Sequence, residues 1–383
     1  MSITVSVHGR FHAFELARGL FKRGLLQNLL TTYPAFMVKR ILDVDLPVRS
    51  AANLEILRRI IGYAPIKFES DLFISKTFGK FAARQVEQGD EGGILVGWSS
   101  ATLEAMKPAH SMGKLIIIER GSTHIKEQME ILKLAYSEIG LNFAKEIPEI
   151  VAREEAEYEL ADKISVPSSI AAKSFFKRGF PKDKILINSL GVDLGNFNIS
   201  KERRDNIKPR ILFAGEIGVR KGVPWLLKAF KKLSKKSDLY LFGNVEKNFK
   251  SKLYKLLDGS VKICGPVSMK TLAIEYQKAD IFCLPSIEEG FGLVVLQAMA
   301  SGLPVVITES VGASDIVTEG KDGFIIPKLN VTALSEALES LIDDNELRSC
   351  MGEAAAKRVK SGCSWEDYEE RIVKNYGLHN SII

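Results

Sequence analysis

Residues 281–308 read IFCL-PSIEEGFG-LVVLQAMA-SGLP-VVIT, an order of segments that is typical of an open α/β sheet. The apolar run Ile281–Leu284 has the length of a strand, and a glycine-containing turn leads from it into the apolar stretch Gly292–Ala300, which predicts a helix. Ser301–Pro304 breaks that helix, and the β-branched run Val305–Ile307 predicts the next buried strand. The last 18 residues carry no charge, but the break argues against a membrane-spanning helix. The stretch therefore predicts one strand–helix–strand unit of a parallel sheet.

The same alternation of short apolar runs and amphipathic stretches extends along the chain. It predicts an α/β protein whose parallel sheets are covered by helices on both faces. In the first half we expect strands Thr4–Val7, Ile94–Val96, Leu115–Ile118, Ile164–Val166 and Ile185–Ile187. Between them lie the amphipathic stretches Phe11–Arg23 and Thr102–Met112, a long polar-apolar stretch, Lys126–Glu159, and the predicted helix Ser168–Arg178. In the second half we expect strands Arg210–Phe213, Leu239–Phe242, Val261–Ile263, Ile281–Leu284 and Val305–Ile307 and helices Gly222–Leu233, Asn248–Leu257, Met269–Lys278, Gly292–Ala300, Ala333–Asp343, Asn345–Lys360 and Trp365–Tyr376.

The two halves are separated by a polar segment, Asn198–Pro209. Its apolar content is too low for a core element, and it carries consecutive charges at Lys201, Glu202, Arg203, Arg204 and Asp205. We interpret it as an interdomain linker, which divides the chain into domains 1–200 and 201–363. A length of 383 residues agrees with two domains.

Composition excludes several classes of protein. With 46% hydrophobic and 26% charged residues the chain is neither disordered nor fibrous. A net charge of +6 attracts anionic ligands only mildly, so no nucleic-acid partner is expected. The four cysteines show no C-x-x-C pair, which predicts neither a zinc site nor a disulfide framework. The amino terminus lacks a basic, apolar leader, so we expect a cytoplasmic protein.

The turn between the strand at 281 and the helix at 292 is the first candidate site. Its glycines, Gly290 and Gly292, allow a ligand to approach the backbone closely, and free N–H groups at a helix start bind anions. Glu289 lies at the mouth of this turn. Eight residues, a little over two helical turns, separate Glu289 from Gln297, so both side chains are expected to face one ligand. The alternative is ordinary helix capping by Gly and Glu.

A second strand–glycine–helix junction, Phe213–Gly222, places two cations where a helix begins. Arg220 and Lys221 oppose the helix dipole there, so a bound anion is one explanation and two solvated charges are the other. Gly243-Asn244 and Gly265-Pro266-Val267 end the next two strands. Ligands of open α/β sheets bind at such carboxyl ends, so these junctions are expected to face one crevice.

Taken together, these motifs resemble a known family. The series Gly215–Gly222, Gly265-Pro266-Val267, Pro285-Ser286, Glu289–Leu293, Ala298–Val306 and Gly323-Phe324 is similar to that of the retaining glycosyltransferases of family 4, which have the GT-B fold. Val166-Pro167-Ser168 and Gly191-Val192-Asp193 resemble the end of the family's first domain. Trp365 resembles its crossing carboxyl-terminal helix, here 364–383. The resemblance implies sugar transfer from a nucleotide diphosphate sugar in a cleft between two Rossmann-like domains, with parallel sheets facing that cleft.

The resemblance also implies roles for individual residues. Lys221 would neutralise the diphosphate, Glu289 would contact the sugar hydroxyls, and the nucleoside would lie by Val267 and Gln297. The catalytic candidates are Lys221, Glu289, Arg220, His124 and Glu119. The donor-binding candidates are Gly9, Gly215, Glu216, Gly243, Asn244, Gly265, Val267, Ser286, Gly290, Phe291, Gly292, Leu293 and Gln297.

Two positions depart from the family pattern. Gln297 replaces the second Glu of the family pair, and Glu216 stands where an Arg is usual, a cation that Arg220 can replace. Gln297 can still accept a hydrogen bond from a ribose hydroxyl, without the charge that would strengthen it. No acidic cluster with metal-ligand spacing is present in the sequence near these junctions, so neither a cofactor nor an obligatory metal is expected.

The first domain is expected to hold the acceptor. His8-Gly9-Arg10-Phe11-His12 follows the first strand; its Phe11 departs from the G-x-G-x-x-G fingerprint, which makes a nicotinamide dehydrogenase a weak alternative. Glu119-Arg120-Gly121-Ser122-Thr123-His124 is a second polar set at a strand end. His8, His12 and Arg120 are acceptor-side candidates. The alternatives are that His12 is a helix-surface residue and that Glu119 and Arg120 form a buried ion pair.

Two basic regions remain. The lysines of 228–255 are interpreted as a solvated surface. Basic and aromatic residues of the first domain could instead contact anionic lipid at the inner face of a membrane: Arg18, Lys22, Arg23, Lys39, Arg40, Phe11, Phe14, Phe21, Phe36 and Met37.

We expect a hexose-type transfer from a UDP- or GDP-sugar to a glycan or lipid-linked glycan. A catalytically weakened nucleotide-sugar-binding protein and a nucleotide-sugar epimerase are the alternatives.

Overall fold

The computed structural model describes residues 2–63, 70–143, 147–199, 208–257 and 259–378. Its strands are Ile3–Val7 (β1), Leu26–Thr31 (β2), Val48–Ser50 (β3), Ile94–Trp98 (β4), Leu115–Glu119 (β5), Lys163–Val166 (β6), Ile185–Ile187 (β7), Arg210–Ala214 (β8), Asp238–Phe242 (β9), Val261–Gly265 (β10), Ile281–Leu284 (β11), Val305–Thr308 (β12) and Gly323–Ile326 (β13). Its α-helices are Ala13–Lys22 (α1), Ala35–Leu42 (α2), Ala52–Tyr63 (α3), Ser70–Glu87 (α4), Leu103–Ser111 (α5), Ile125–Glu138 (α6), Pro148–Leu160 (α7), Ser169–Phe176 (α8), Val223–Phe230 (α9), Lys250–Leu256 (α10), Met269–Lys278 (α11), Leu293–Ala300 (α12), Val331–Asp343 (α13), Asn345–Lys360 (α14) and Trp365–Asn375 (α15).

The strands form two sheets in which neighbouring strands are parallel. The first has the order β3-β2-β1-β4-β5-β6-β7 and the second the order β10-β9-β8-β11-β12-β13. Counted from its own first strand, the second sheet runs 3-2-1-4-5-6, and the first sheet has the same order with one strand added. Both domains are therefore Rossmann-like, and the predicted α/β class is confirmed.

Burial on both faces explains why the central strands are nearly continuous apolar runs. All residues of β1, β4, β11 and β12 are buried. A parallel strand between helices has no solvated face, so it shows no alternation of polar and apolar residues. One apolar core occupies the second domain, and two lie on either side of the first sheet.

Residues 26–87 contain two strands and three helices for which the sequence analysis predicted no element. β2 carries Gln27 and Asn28 in its half-exposed first part, and β3 has only three residues. α3 exposes Ile56 and Ile60, which obscures its amphipathic pattern. The long polar-apolar stretch 126–159 forms two helices, since α6 ends at Glu138 and Pro148 begins α7.

The domains are joined by two chain segments that lie side by side. Val192 N–H donates to the Cys363 carbonyl at 2.8 Å. A Cβ on Gly191 would lie 2.4 Å from the Ser364 carbonyl oxygen, so only glycine fits at this crossing. The predicted linker residues Lys201, Glu202, Arg203, Arg204 and Asp205 lie outside the described residues. Beyond the crossing, α15 packs on the first domain, where Trp365, Tyr368 and Ile372 join its core.

The uncharged stretch 291–308 forms α12, a turn and β12, as predicted. Among the described residues, no helix combines the length and the apolar character that crossing a membrane would require.

Candidate functional site

The largest of the described cavities lies between the two domains and has a volume of about 1080 Å³. Its wall comes from the strand ends of both sheets and from the crossing segments. The first domain supplies His8, Arg10, Phe11, His12, Glu15, Arg18, Trp98, Ser99, Ser100, Arg120, Gly121, Ser122 and Gln128. The second domain and the crossing segments supply Leu190, Val192, Asp193, Leu194, Gly195, Asn196, Phe197, Arg220, Met269, Glu289, Phe291, Gly292, Leu293, Gln297, Trp365 and Glu366.

Two cations and a carboxylate meet at the second domain's edge of this cavity. The Lys221 ammonium donates to the Glu289 carboxylate. Arg220 Nη1 lies 3.7 Å from Glu289 Oε2 and 3.5 Å from Glu288 Oε2. Burial, followed by the nearby Arg220 guanidinium, lowers the pKa of Lys221 to about 7. An anion that entered this cluster would favour the charged form of Lys221.

The loop before α9 reaches the Glu289 turn because of one glycine. Gly222 has a φ of 73°, and a Cβ there would lie 1.8 Å from the Pro285 carbonyl oxygen. A residue with a side chain would therefore both be strained and push the loop away from the end of β11. The absence of that side chain places Lys221 beside Glu289.

The amino terminus of α12 borders the cavity without a side-chain cap. Gly292 is the N-cap residue and has a φ of 86°. Because glycine has no side chain, it cannot cap the first N–H groups of the helix. Phe291, Gly292 and Leu293 line the cavity. The uncapped N–H groups and the positive end of the helix dipole make this a suitable site for an anion.

The spacing argument for Glu289 and Gln297 was wrong, although both side chains line the cavity. α12 begins only at Leu293, so Glu289 lies in the preceding turn and not on the helix. Gln297 is buried on α12, where its Nε2 lies 3.7 Å from Met269 Sδ. Its Oε1 accepts from the Tyr276 hydroxyl at 3.5 Å.

The chain is similar to one protein family and to several known proteins. The profile described as Glycosyl transferases group 1 matches residues 196–358. The matched residues make up most of the second domain, which is therefore similar to the group 1 glycosyl transferases. The chain is 35% identical over 237 residues to a D-inositol 3-phosphate glycosyltransferase of Pseudarthrobacter chlorophenolicus, covering 56% of each protein. It is 31% identical over 217 residues to the sulfoquinovosyl transferase SQD2 of Arabidopsis thaliana, covering 53% of this chain and 42% of that protein. The matches thus span about half the length of these relatives.

Solved structures share the whole fold at low sequence identity. Anabaena HepE, determined in complex with UDP, superposes with a TM-score of 0.72 at 15% identity and covers 99% of this chain and 100% of that one. Sucrose-phosphate synthase from Thermosynechococcus elongatus superposes with a TM-score of 0.74 at 18% identity, covering 99% and 98%. The two Rossmann-like domains therefore have the GT-B arrangement.

Several predicted donor residues of the second domain do not line the cavity. Gly215 and Gly243 pack on each other, since a Cβ on Gly243 would lie 1.8 Å from the Gly215 carbonyl oxygen. Glu216, Asn244 and Val267 are exposed beside them, Gly265 ends β10, and Ser286 is fully buried. Gly290 lies against the first domain, where a Cβ would be 2.1 Å from the Gly121 carbonyl oxygen. Their donor-binding roles remain predictions.

On the first domain, His12 faces the cavity next to a buried carboxylate. His12 Nε2 lies 3.2 Å from Glu119 Oε2, and the Tyr376 hydroxyl donates to Glu119 Oε1 at 2.6 Å. The His12 ring packs against Trp98 with 5.0 Å between the ring centroids. His12 is therefore not a helix-surface residue, and its imidazole is oriented by Glu119, which is itself held by α15's neighbour Tyr376.

Glu119 and Arg120 do not form the ion pair that the sequence suggested as an alternative. Arg120 Nη1 pairs instead with Glu154 Oε2 at 3.0 Å, and Arg120 Nη2 donates to Gln128 Oε1 at 2.8 Å. Consecutive residues at the end of a strand point to opposite sides, so Glu119 and Arg120 find different partners. Arg120 still reaches the cavity wall.

His8 also lines the cavity, in a strongly cationic setting. Burial, then the guanidinium groups of Arg58 and Arg153, lowers the pKa of His8 to about 4, so its ring is neutral near pH 7. Gly9 behind it is buried, and its carbonyl accepts from the Thr31 hydroxyl at 2.8 Å.

The structure does not bring His124 to the other candidates. His124 is the N-cap residue of α6, where its Nδ1 accepts from Lys126 N–H at 3.2 Å. Its ring lies among Tyr158, Phe175 and Phe180. Burial, then Arg178, lowers the pKa of His124 to about 4. These contacts give His124 a structural position inside the first domain.

Sequence reasoning missed two groups at the site. Ser99 and Ser100 follow β4, and the rule that ligands bind at strand ends would have found them. Glu288 was considered only as part of the glycine-rich motif. No sequence signal distinguishes it from Glu289, because its partners come from residues 122–128 of the other domain.

Proposed function

We propose that this protein is a retaining glycosyltransferase that moves a hexose-type sugar from a UDP- or GDP-sugar to a glycan or lipid-linked glycan. The observation that carries the proposal is the cluster of Arg220, Lys221 and Glu289 at the uncapped start of α12, inside the cleft. The group 1 relatives and the shared GT-B fold support it.

Breaking the bond between sugar and diphosphate develops positive charge on the sugar and negative charge on the leaving group. Fixed positive groups aimed at that leaving group stabilise the transition state. Lys221, Arg220 and the α12 amino terminus are such groups. The donor diphosphate would take the place of Glu289 as the partner of Lys221, and that exchange would free the carboxylate for sugar hydroxyls.

In the first domain, the helix amino terminus that corresponds to that of α12 is already occupied by a side chain. This favours the second domain as the donor site. Glu157 from α7 accepts the main-chain N–H groups of Thr102 and Leu103 at 2.8 and 2.9 Å, and that of Ser100 as well. The carboxyl group of Glu157 therefore occupies the amino terminus of α5, where a phosphate would otherwise bind. The corresponding position at α12 has no such occupant among the described residues.

The acceptor is proposed to bind the first domain's side of the cleft, near His12 and Arg120. His12, oriented by Glu119, can accept a proton from an acceptor hydroxyl, and the leaving phosphate is an alternative base. For a lipid-linked acceptor the protein would contact the inner face of a membrane. The candidate surface is smaller than the sequence suggested, because Phe14 lies in the core and Arg18 and Arg23 pair with Glu15 and Glu369.

Nucleotide binding tests the donor proposal most directly. HepE has been solved with UDP and with UDP-glucose, so the uridine series is the first choice. We expect UDP or UDP-glucose to raise Tm, with and without Mg²⁺, because a ligand that binds the native state stabilises it. Lys221→Ala should abolish the shift. GDP, ADP and their glucose conjugates are the comparison set. No shift from any of them would contradict the donor assignment.

Product analysis separates the proposal from its two alternatives. A new glycosidic bond supports transfer. A free epimerised donor would indicate an epimerase, and tight nucleotide binding without turnover would indicate the weakened binding protein suggested by Gln297 and Glu216.

A further inference from the structure

Glu288 is a buried carboxylate of the second domain, and most of its hydrogen-bond donors belong to the first domain. Only 1% of the residue is exposed. Its Oε1 accepts from Thr123 N–H at 3.2 Å, from the Thr123 hydroxyl at 2.9 Å and from the Ser122 hydroxyl. Its Oε2 accepts from Gln128 Nε2 at 2.9 Å. One side chain thus joins the loop before α12 to the loop between β5 and α6.

The backbone next to Glu288 makes a second contact with the first domain. The Ser168 hydroxyl donates to the Gly290 carbonyl at 2.7 Å. A Cβ on Gly290 would lie 2.1 Å from the Gly121 carbonyl oxygen, so the two loops meet at the closest distance that their backbones allow. Close backbone packing and hydrogen bonds therefore both contribute to this contact, and together they fix how the domains meet on this side of the cavity.

Arg220 connects this contact to the donor cluster. Its Nη1 donates to the Glu288 main-chain carbonyl at 3.2 Å and lies 3.5 Å from the Glu288 carboxylate and 3.7 Å from that of Glu289. Burial acts to raise the pKa of Glu288. The Arg220 charge and the hydrogen bonds from Ser122, Gln128 and Thr123 outweigh it and hold that pKa below its ordinary value. Glu288 is therefore charged near pH 7.

We propose that Glu288 is a positioning residue that holds the cleft closed beside the donor site. It keeps Ser122 and Thr123 against the Glu289 turn, so that His12 and Arg120 of one domain share a cavity with Arg220 and Glu289 of the other. This role rests on the proposed function only for its catalytic consequence.

The first test measures the shape of the protein. Small-angle X-ray scattering should give a larger radius of gyration for Glu288→Ala than for the wild type, and a smaller increase for Thr123→Val, which removes one donor from the other domain. Asp315→Ala is the matched control. It removes an exposed interdomain contact, to Ser169 N–H and its hydroxyl at 2.6 and 2.5 Å, and should leave the radius unchanged.

The second test separates positioning from donor binding. With UDP-glucose as the probe, Glu288→Ala should leave Kd within about twofold and lower kcat for UDP release, with water as acceptor, by about tenfold or more. Glu288→Gln, whose amide oxygen still accepts from Thr123, should recover part of kcat. The double variant Glu288→Ala with Thr123→Val should be no worse than Glu288→Ala alone.

An unchanged radius of gyration in folded Glu288→Ala would overturn the closure role, as would additive losses in the double variant. A loss of UDP-glucose affinity equal to the loss of activity would make Glu288 a donor ligand and would also overturn it. If the wild type releases no UDP, the proposed function fails instead, and the scattering comparison still decides whether Glu288 closes the cleft.

Discussion

Lys221 is the single residue whose charge state bears most directly on donor binding. Its pKa of about 7 means that the free protein loses the Lys221 charge as the pH rises through neutrality. A diphosphate binds the protonated form, so affinity is present below that pH and is lost above it. Between one pH unit below and one above, the protonated fraction falls about tenfold, and Kd should weaken by about the same factor.

UDP-glucose is the appropriate probe for this pH dependence, because its diphosphate diester does not titrate near neutrality. Lys221→Arg is the matched variant, since a guanidinium stays protonated throughout this range. Calorimetric Kd values for the variant should be nearly independent of pH. A wild-type Kd that is equally flat would show that Lys221 keeps its charge and that its pKa is not lowered in the free protein.

The histidines show where residue-level prediction from the sequence ends. His12 and His124 both follow strand ends in polar segments, and the sequence offered both as site candidates. The structure turns His12 toward the cavity beside Glu119 and turns His124 into a cluster of aromatic rings. Which way such a side chain turns depends on packing partners that are distant in the sequence, such as Tyr158 and Tyr376, and no local spacing specifies them.

At the scale of elements, the loop between β8 and α9 depends on Gly222. Gly222→Ala should cost stability in two ways, through a positive φ and through a clash with the Pro285 carbonyl oxygen 1.8 Å away. Together these should lower the free energy of unfolding by about 2 kcal/mol or more. The displaced loop should also weaken UDP binding, because Lys221 precedes Gly222 directly.

Gly320→Ala is the control for that experiment. Gly320 has nearly the same φ, 71°, but a Cβ placed there would meet no atom within 4 Å other than those of its chain neighbours, so it reports the backbone strain alone. Denaturant unfolding should show a smaller loss for Gly320→Ala, about 1 kcal/mol, and unchanged UDP binding. Equal losses in the two variants would mean that the contact with Pro285 does not hold the loop in place.

Element prediction succeeded where burial leaves one pattern possible. β7, β11, α11 and α14 have the predicted bounds, and β11 is a continuous apolar run because it is buried on both faces. It failed over 26–87. There the elements lie at the edge of the first sheet, are partly exposed and carry mixed polar and apolar residues. Edge elements obey weaker burial constraints, so their sequences carry a weaker signal.

At the scale of the whole molecule, we predict that the proposed membrane contact forms at the exposed surface of α2. Phe36 is 72% exposed, and Lys39 and Arg40 are exposed on the same helix. An aromatic side chain beside basic ones suits the interface of an anionic bilayer. Lys39 pairs with Asp45 at 2.8 Å, but both side chains are largely exposed, so anionic lipid can compete for the cation.

The variant Phe36→Ser with Lys39→Gln and Arg40→Gln should therefore lose co-sedimentation with vesicles of phosphatidylglycerol and phosphatidylcholine at low salt. Each basic residue near such a surface contributes about 1 kcal/mol, so loss of two cations and the aromatic anchor should reduce the partition coefficient by about 30-fold or more. The control changes Tyr254→Ser, Lys250→Gln and Lys255→Gln, an aromatic and basic set that is also exposed, on the second domain. If both variants lose binding equally, net charge and not α2 drives it, and wild-type protein that stays in the supernatant would exclude the membrane contact while leaving a glycan acceptor in place.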